Sequence, residues 1–193
     1  MKKNVAILVF DEIEVLDFAG PFEVFAKTDE LLGHTAFHTF TMGLKPGTVR
    51  SRNGLKIMPD FTLESCPTPH LIIIPGGAGT RPLLNMPALH EWLRIKSRAA
   101  EIVMSVCTGA LILARAGLLD DLRATTHHKC FAELRLHAPR TEVVENERFV
   151  DNGKVITAGG ISAGIDCSLH VVARLLGEDV ANQTASHMEY RRP

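Results

Sequence analysis

The chain of 193 residues is 46% hydrophobic and 22% charged, with a formal net charge of -1. Those values fit one soluble globular domain with a sizeable core, and the lack of a basic stripe speaks against nucleic-acid binding. No apolar run reaches the roughly 18 residues of a membrane span, and the long, irregular spacings of the four cysteines form neither a zinc ribbon nor a redox dithiol.

The N-terminal "MKKNVAILVFDEIE" carries a short apolar run followed by acidic residues, not by a small-residue cleavage site. It reads as a first β-strand, 4–10, and not as an export signal, which places reduced thiols in the cytoplasm. Next comes "EVLDFAGPFEVF", 14–25, with Asp17 set among Val15, Leu16, Phe18 and Ala19. Residues 35–62 contain "FHTFTMG" and "GLKIMPDFTL", which read as peripheral strands or a hairpin. "HLIIIPGG" (70–77) is a buried strand ending in glycine, and "PALHEWLRIKSRA" (87–99) a helix with proline in its first turn. "EIVMSVC" (101–107) is another buried strand, and "TGALILARAG" (108–117) a helix stopping at Gly117. The segment 142–157 suggests antiparallel strands around an Asn-Gly turn at 152–153, overlapping a strand at 154–160. Finally "SAGIDCSLHVVARLLG" (162–177) aligns Ile165, Leu169, Val172 and Leu176 on one helical stripe. Continuous apolar strands alternating with helices predict a doubly wound α/β fold with a mostly parallel sheet, as one domain over 1–193.

In such sheets ligands bind beyond the carboxyl ends of the strands. Cys107 falls at such an end, with a helix starting at once behind it, the geometry of a nucleophile elbow. Free N–H groups and the macrodipole at the helix start predict a lowered thiol pKa. Cys66 in a turn, Cys130 in a helix and Cys167 in a helical stripe read as packing residues. The glycine turn "IIIPGGAG" offers backbone N–H groups, so Gly76 and Gly77 become oxyanion candidates together with the N–H of Thr108.

Asp17 has two readings: the N-cap of a helix that follows Pro21, or a carboxyl group held near the thiol and kept protonated by apolar surroundings. His127 and His128 follow a strand and read as surface or hydrogen-bonded residues, with a pocket role for His127 as the alternative. No ligand set accompanies them, so no metal is expected. Asp166 reads as a structural hydrogen-bonding group, Ile161 as a pocket wall near Cys107, and Glu23 and Glu91 as solvated charges.

Five segments carry a resemblance across nearly the whole chain: "LDFAGPFEVF", "IIIPGGAG", "SVCTGALILARAGLL", "RATTHH" and "AGGISAGIDCSLHVVARLLG". In this order they resemble the ThiJ/PfpI family of the class I glutamine-amidotransferase-like superfamily, and within it the isonitrile-hydrating branch. That branch has Asp at the position of Asp17, where the deglycase branch has Glu, and Thr at the position of Thr108, where PfpI-type peptidases have His. The ending "HMEYRRP" is similar as well. The resemblance implies a flavodoxin-like sandwich, a nucleophilic Cys107, a pocket position for His127, and usually a homodimer. It implies hydration of an isonitrile to an N-substituted formamide: Cys107 attacks, Asp17 carries the proton, Thr108 bonds the acid or faces developing charge, and neither metal nor cofactor takes part. The expected partner is a small-molecule substrate, with no nucleic acid and no membrane. The same motifs occur in ligand-sensing halves of AraC-type regulators, which carry a further helix-turn-helix region; these 193 residues show none, which disfavours that class unless they are part of a longer protein. A ligand or redox sensor, or a glyoxalase or deglycase, is the alternative.

Overall fold

The computed structural model describes residues 2–192; Met1, and Pro193 at the end of the C-terminal motif, lie outside them. The chain begins β1 (Lys3–Val9), α1 (Val15–Leu31), β2 (Phe37–Gly43), β3 (Val49–Arg50), β4 (Lys56–Ile57), β5 (Phe61–Thr62) and β6 (Leu71–Ile74). It continues through α2 (Thr80–Leu83), α3 (Pro87–Ala99), β7 (Ile102–Val106), α4 (Gly109–Arg115) and β8 (Arg123–Ala124). A 3-10 turn at His128–Cys130 leads into α5 (Phe131–His137), β9 (Glu142–Val143), β10 (Phe149–Asp151), β11 (Val155–Ala158), α6 (Ala163–Leu176) and α7 (Glu178–His187).

Seven strands form one sheet in the order β10-β11-β7-β6-β1-β2-β5. Every pairing is parallel except β10 with β11. Helices α1, α6 and α7 pack together on one side, and α2 to α5 group around α4 on the other. This is the doubly wound, flavodoxin-like α/β sandwich that the alternation of apolar strands and helices predicts. With both faces covered, β6 and β7 are buried at every position, which is why their sequences read as unbroken Ile and Val runs.

The chain moves from β1 outward to β2 and then returns to β6 on the other side of β1. That reversal opens a crevice at the carboxyl ends of the strands, where a doubly wound sheet takes its ligands. Asp17 follows β1, Gly76 and Gly77 follow β6, Cys107 follows β7, and Ile161 follows β11. Four chain segments far apart in sequence therefore arrive at one edge.

Three local expectations need correction. "FHTFTMG" is not peripheral: β2 pairs with β1 along its whole length, Lys3↔Phe37 to Val9↔Gly43. It reads as mixed because its outer neighbour β5 covers only Met42 and Gly43, leaving His38 exposed. The hairpin-like material is instead the small β3–β4 ribbon, outside the main sheet. Second, only β10 and β11 form the antiparallel pair around the Asn-Gly turn, with Gly153 at φ +85°; β9 pairs in parallel with β8. Third, α1 starts at Val15 and contains Pro21. Its N-cap position is Glu14, so Asp17 sits in the first turn and does not cap a later helix.

Candidate active site

The chain turns sharply where β7 ends. Cys107 has φ +56°, a left-handed conformation that a residue with a side chain adopts only when its surroundings impose it. The constraint is visible. The Cys107 N–H donates to the carbonyls of Ala158 at 3.1 Å and Gly159 at 2.9 Å, and its carbonyl accepts the Thr126 hydroxyl at 2.7 Å. Strand β11 and the Thr126 segment thus hold the turn from two sides. Gly76 makes the third wall: a Cβ there would lie 2.5 Å from the Thr108 nitrogen and 2.8 Å from the Cys107 Cβ, so the backbone can approach only without a side chain.

Asp17 is fully buried behind this turn. Its Oδ2 accepts the Gly76 N–H at 3.0 Å and its Oδ1 accepts the Ile161 N–H at 3.2 Å. Ile161 is itself left-handed, at φ +53°. Burial raises the Asp17 carboxyl from 3.8 to about 6, against the lowering effect of the Gly76 N–H and of its hydrogen bond with Cys107. The Glu14 charge adds to the rise, and the Ile161 N–H opposes it. The rise has the direction and the cause that the apolar setting of Asp17 predicts, and it moves the carboxyl toward carrying a proton near neutral pH.

The thiol departs from expectation. Burial pushes Cys107 well above its ordinary value, and the Asp17 carboxylate pushes it the same way, with only the Thr108 N–H favouring the thiolate. The residue is 6% exposed. A helix dipole contributes about 0.3–1 kcal/mol, and α4 has only seven residues, whereas burying a charge costs several times more. Desolvation wins. Burial thus raises both members of the pair, the Cys107 thiol and the Asp17 carboxyl.

Thr108 joins the glycine turn to the elbow. Its Oγ1 accepts the Gly77 N–H at 3.0 Å and donates to the Gly77 carbonyl at 3.2 Å. The Thr80 hydroxyl reaches that carbonyl at 2.9 Å. The Gly77 N–H is therefore engaged by Thr108 and not free to stabilise an oxyanion. Likewise the Thr108 hydroxyl serves Gly77 and not the Asp17 carboxyl. Of the N–H groups nominated from sequence, that of Thr108 is the one directed at the sulfur.

A cavity of about 700 Å³ opens in front of Cys107 and Thr108. Gly77, His127 and Ile161 line it, as the sequence suggests, and Gly76 stands behind Gly77 holding Asp17. Burial, with His128 and Lys129 as neighbours, lowers the pKa of His127, and its Nδ1 accepts the Lys129 N–H at 3.2 Å. The walls also contain Glu12, Glu14, Arg52, Arg81, Lys129 and Cys130, none of which sequence reasoning nominated. Cys130 is thus more than packing: it lies in the 3-10 turn, and its sulfur accepts from Arg81 at 3.5 Å. Arg81 forks onto Glu133 and reaches the Gly77 carbonyl at 3.2 Å. The only signal for it was its place two residues beyond the glycine turn, which ends at Gly79. Cys66 and Cys167 are buried apolar-site thiols, with burial pushing Cys66 up to about 11 and Cys167 further.

Asp166 does serve as a buried hydrogen-bonding group, bonded by Arg148 and Tyr190. Glu23 and Glu91 are exposed. No helix is long and apolar enough to cross a membrane, and no cluster of three or more His, Cys, Asp or Glu is placed to hold a metal, among the described residues.

Comparison with known proteins places the chain in a family. The DJ-1/PfpI family model matches residues 3–174. The isonitrile hydratase of Pseudomonas putida is 35% identical over 190 residues, covering 98% of this chain and 79% of that protein. The HTH-type transcriptional regulator GbdR of Pseudomonas aeruginosa is 26% identical over 98% of this chain, which spans 51% of the regulator's length. Among solved structures, a ThiJ/PfpI family protein from Pseudomonas syringae superposes with a TM-score of 0.88 at 29% identity, covering 100% of this chain and 77% of that one. Drosophila melanogaster DJ-1beta has a TM-score of 0.86 at 17% identity, over 99% of this chain and 100% of that one, a likeness of fold.

Proposed function

Since the chain belongs to the DJ-1/PfpI family, we propose that it is a cysteine-dependent hydratase converting isonitriles to N-substituted formamides. The observation that supports this reading is the Cys107–Asp17 pair: a thiol facing a cavity, with a buried carboxyl hydrogen-bonded to it and two backbone N–H groups fixing that carboxyl. Such a pair can supply a nucleophile and take the same proton back.

The chemistry runs as follows. Asp17 takes the thiol proton while the Cys107 sulfur attacks the terminal carbon of R–N≡C. Carbon becomes bonded to sulfur and receives that proton from Asp17, giving the thioimidate R–N=CH–S. The Asp17 carboxylate then helps activate a water that adds to this carbon, while the nitrogen gains a proton. Collapse breaks the C–S bond and releases R–NH–CHO, and the sulfur recovers its proton. This is covalent catalysis joined to acid–base work, and the proton count closes without metal or cofactor. The Thr108 N–H stabilises sulfur as charge develops. The Thr108 hydroxyl and Gly76 keep the loop in place, and His127 and Ile161 bound the substrate. The same reading carries a homodimer acting in the cytoplasm on a small molecule.

The test is direct. The protein is incubated with cyclohexyl isocyanide and formamide is followed, beside Cys107→Ala and Asp17→Asn. Formamide from the wild type alone supports the reading. No turnover, together with peroxide oxidation of one titratable cysteine, favours a second reading, a redox or ligand sensor. That reading draws on the match to a transcriptional regulator along 98% of this chain.

A further inference from the structure

The Ile161 N–H that holds Asp17 comes from a turn, residues 159–162, between β11 and α6. The Gly159 carbonyl of the same turn accepts the Cys107 N–H at 2.9 Å. Both members of the pair therefore depend on where this turn sits. What holds the turn is a second, remote set of side chains.

Arg148, just before β10, grips the turn at both ends. Its carbonyl accepts the Gly159 N–H at 2.8 Å, and its guanidinium donates to the Ser162 hydroxyl at 3.2 Å. The guanidinium also forks onto Asp166, one turn into α6, with Nε to Oδ2 at 2.5 Å. The Asp166 side chain is 3% exposed, so this charge is withdrawn from water and needs its partners. Its other oxygen accepts the Tyr190 hydroxyl at 2.7 Å. Burial, with the Asp166 hydrogen bond, pushes the Tyr190 phenol up to about 12, so it remains a donor throughout the working pH range. The C-terminal segment is thereby fastened to the base of α6.

We propose that Arg148, Asp166 and Tyr190 are positioning residues for Asp17, forming a clamp that seats the 159–162 turn so that the Ile161 N–H meets the carboxylate. None of the three touches the Cys107 sulfur, and their effect passes through the backbone of the turn. The proposal rests on the reading of Asp17 as the acid–base partner of Cys107. The titratable groups that face Asp17 are Cys107 from the elbow and Glu14 from its own helix; the glycine turn and the α6 turn present only backbone N–H groups. Loosening the clamp weakens a bond to the charged form of Asp17 and so raises its pKa further.

The experiment reads Asp17 itself, by 13C carboxyl NMR titration, with the resonance assigned by its loss in Asp17→Asn. Arg148→Met is expected to move the Asp17 midpoint up by about half a pH unit or more, and Tyr190→Phe to move it less in the same direction. Arg148→Lys, which keeps a cation on Asp166, is expected to restore part of the shift. With cyclohexyl isocyanide as substrate, kcat of Arg148→Met is expected to fall about threefold or more while KM stays within about twofold. A midpoint equal to the wild type in a variant that still melts cooperatively overturns the clamp. Where Arg148→Met does not fold, Tyr190→Phe decides by the same criterion. If the wild type hydrates no isonitrile, the proposed reaction fails, yet the titration still decides the clamp.

Discussion

Asp17 and Gly76 are 59 positions apart in the chain, and the N–H of one meets the carboxylate of the other at 3.0 Å. The bond joins the segment after β1 to the segment after β6, the two strands on either side of the topological reversal. It also fixes how far the glycine turn stands from Cys107, because Gly76 is packed directly against the elbow. Position 76 is thus held by the Asp17 carboxyl on one side and the Cys107 turn on the other.

Replacing Gly76 by alanine should break that arrangement. The added Cβ would lie 2.5 Å from the Thr108 nitrogen and 2.7 Å from its hydroxyl, and the backbone there cannot retreat without moving the elbow. A loss of about 1–3 kcal/mol in urea unfolding is expected, with loss of isonitrile turnover. A variant with wild-type stability and activity contradicts the packing argument.

Asp17→Asn should change the pH dependence of stability. The native carboxyl titrates at about 6 and the unfolded one near 3.8, so between these values the native state holds a proton that the unfolded state has released. Wild-type stability therefore falls across that window by on the order of 3 kcal/mol and stays level above it. The asparagine variant lacks this fall. The stability difference between variant and wild type, measured by denaturant at pH 4 and at pH 7, should move in the variant's favour by about that amount. Parallel curves would mean that Asp17 is not raised.

Turnover should depend on pH through the same pair. The reacting form carries one proton between sulfur and carboxyl, and a second proton on Asp17 blocks removal of the thiol proton. The rate on isonitrile should rise with pH through an apparent midpoint at about 6, a value belonging to the coupled pair. A rate that stays flat from pH 5 to 7.5 (a range set by the expected midpoint, give or take about one unit) excludes Asp17 from the proton transfer.

Thr108→Val keeps the shape of the side chain and removes its hydroxyl. The Gly77 N–H then loses its acceptor inside the protein, which should cost about 1–3 kcal/mol; Thr108→Ser should recover most of it. Thermal melts of the two variants distinguish an essential hydroxyl from an incidental one.

Cys107→Ala should leave the fold intact and abolish formamide production, with a fall of at least about 10⁴-fold if the sulfur is the nucleophile. Intact-protein mass after exposure to excess isonitrile should show an adduct in the wild type that the variant lacks. Turnover retained by the alanine variant would remove the thioimidate from the scheme.

Much of this molecule was legible in the residues alone. Runs such as "LIII" and "IVMSV" can be buried on both faces only in a covered parallel sheet, so fold class and the elbow at Cys107 followed from local pattern. The helix at 87–99 was bounded correctly, because its proline start is local information. Asp17 could be nominated, since a carboxyl in an apolar stretch needs a reason. Its ionisation could not be judged, and neither could that of Cys107. A pKa depends on desolvation and on neighbours brought from distant segments, here from the ends of β6, β7 and β11. The sequence suggested a helix dipole lowering the thiol pKa; folding buried that thiol beside the Asp17 carboxyl, and the larger energy set the direction. The engagement of the Gly77 N–H by Thr108, the charged cavity wall with Glu14 and Arg81, and the grip of Arg148 on the 159–162 turn were likewise decided in three dimensions. Local pattern determines which elements form and where a nucleophile can stand, because those depend on side chains within a few turns. Charge state and donor partnership depend on which segments meet, and only the packed chain settles that.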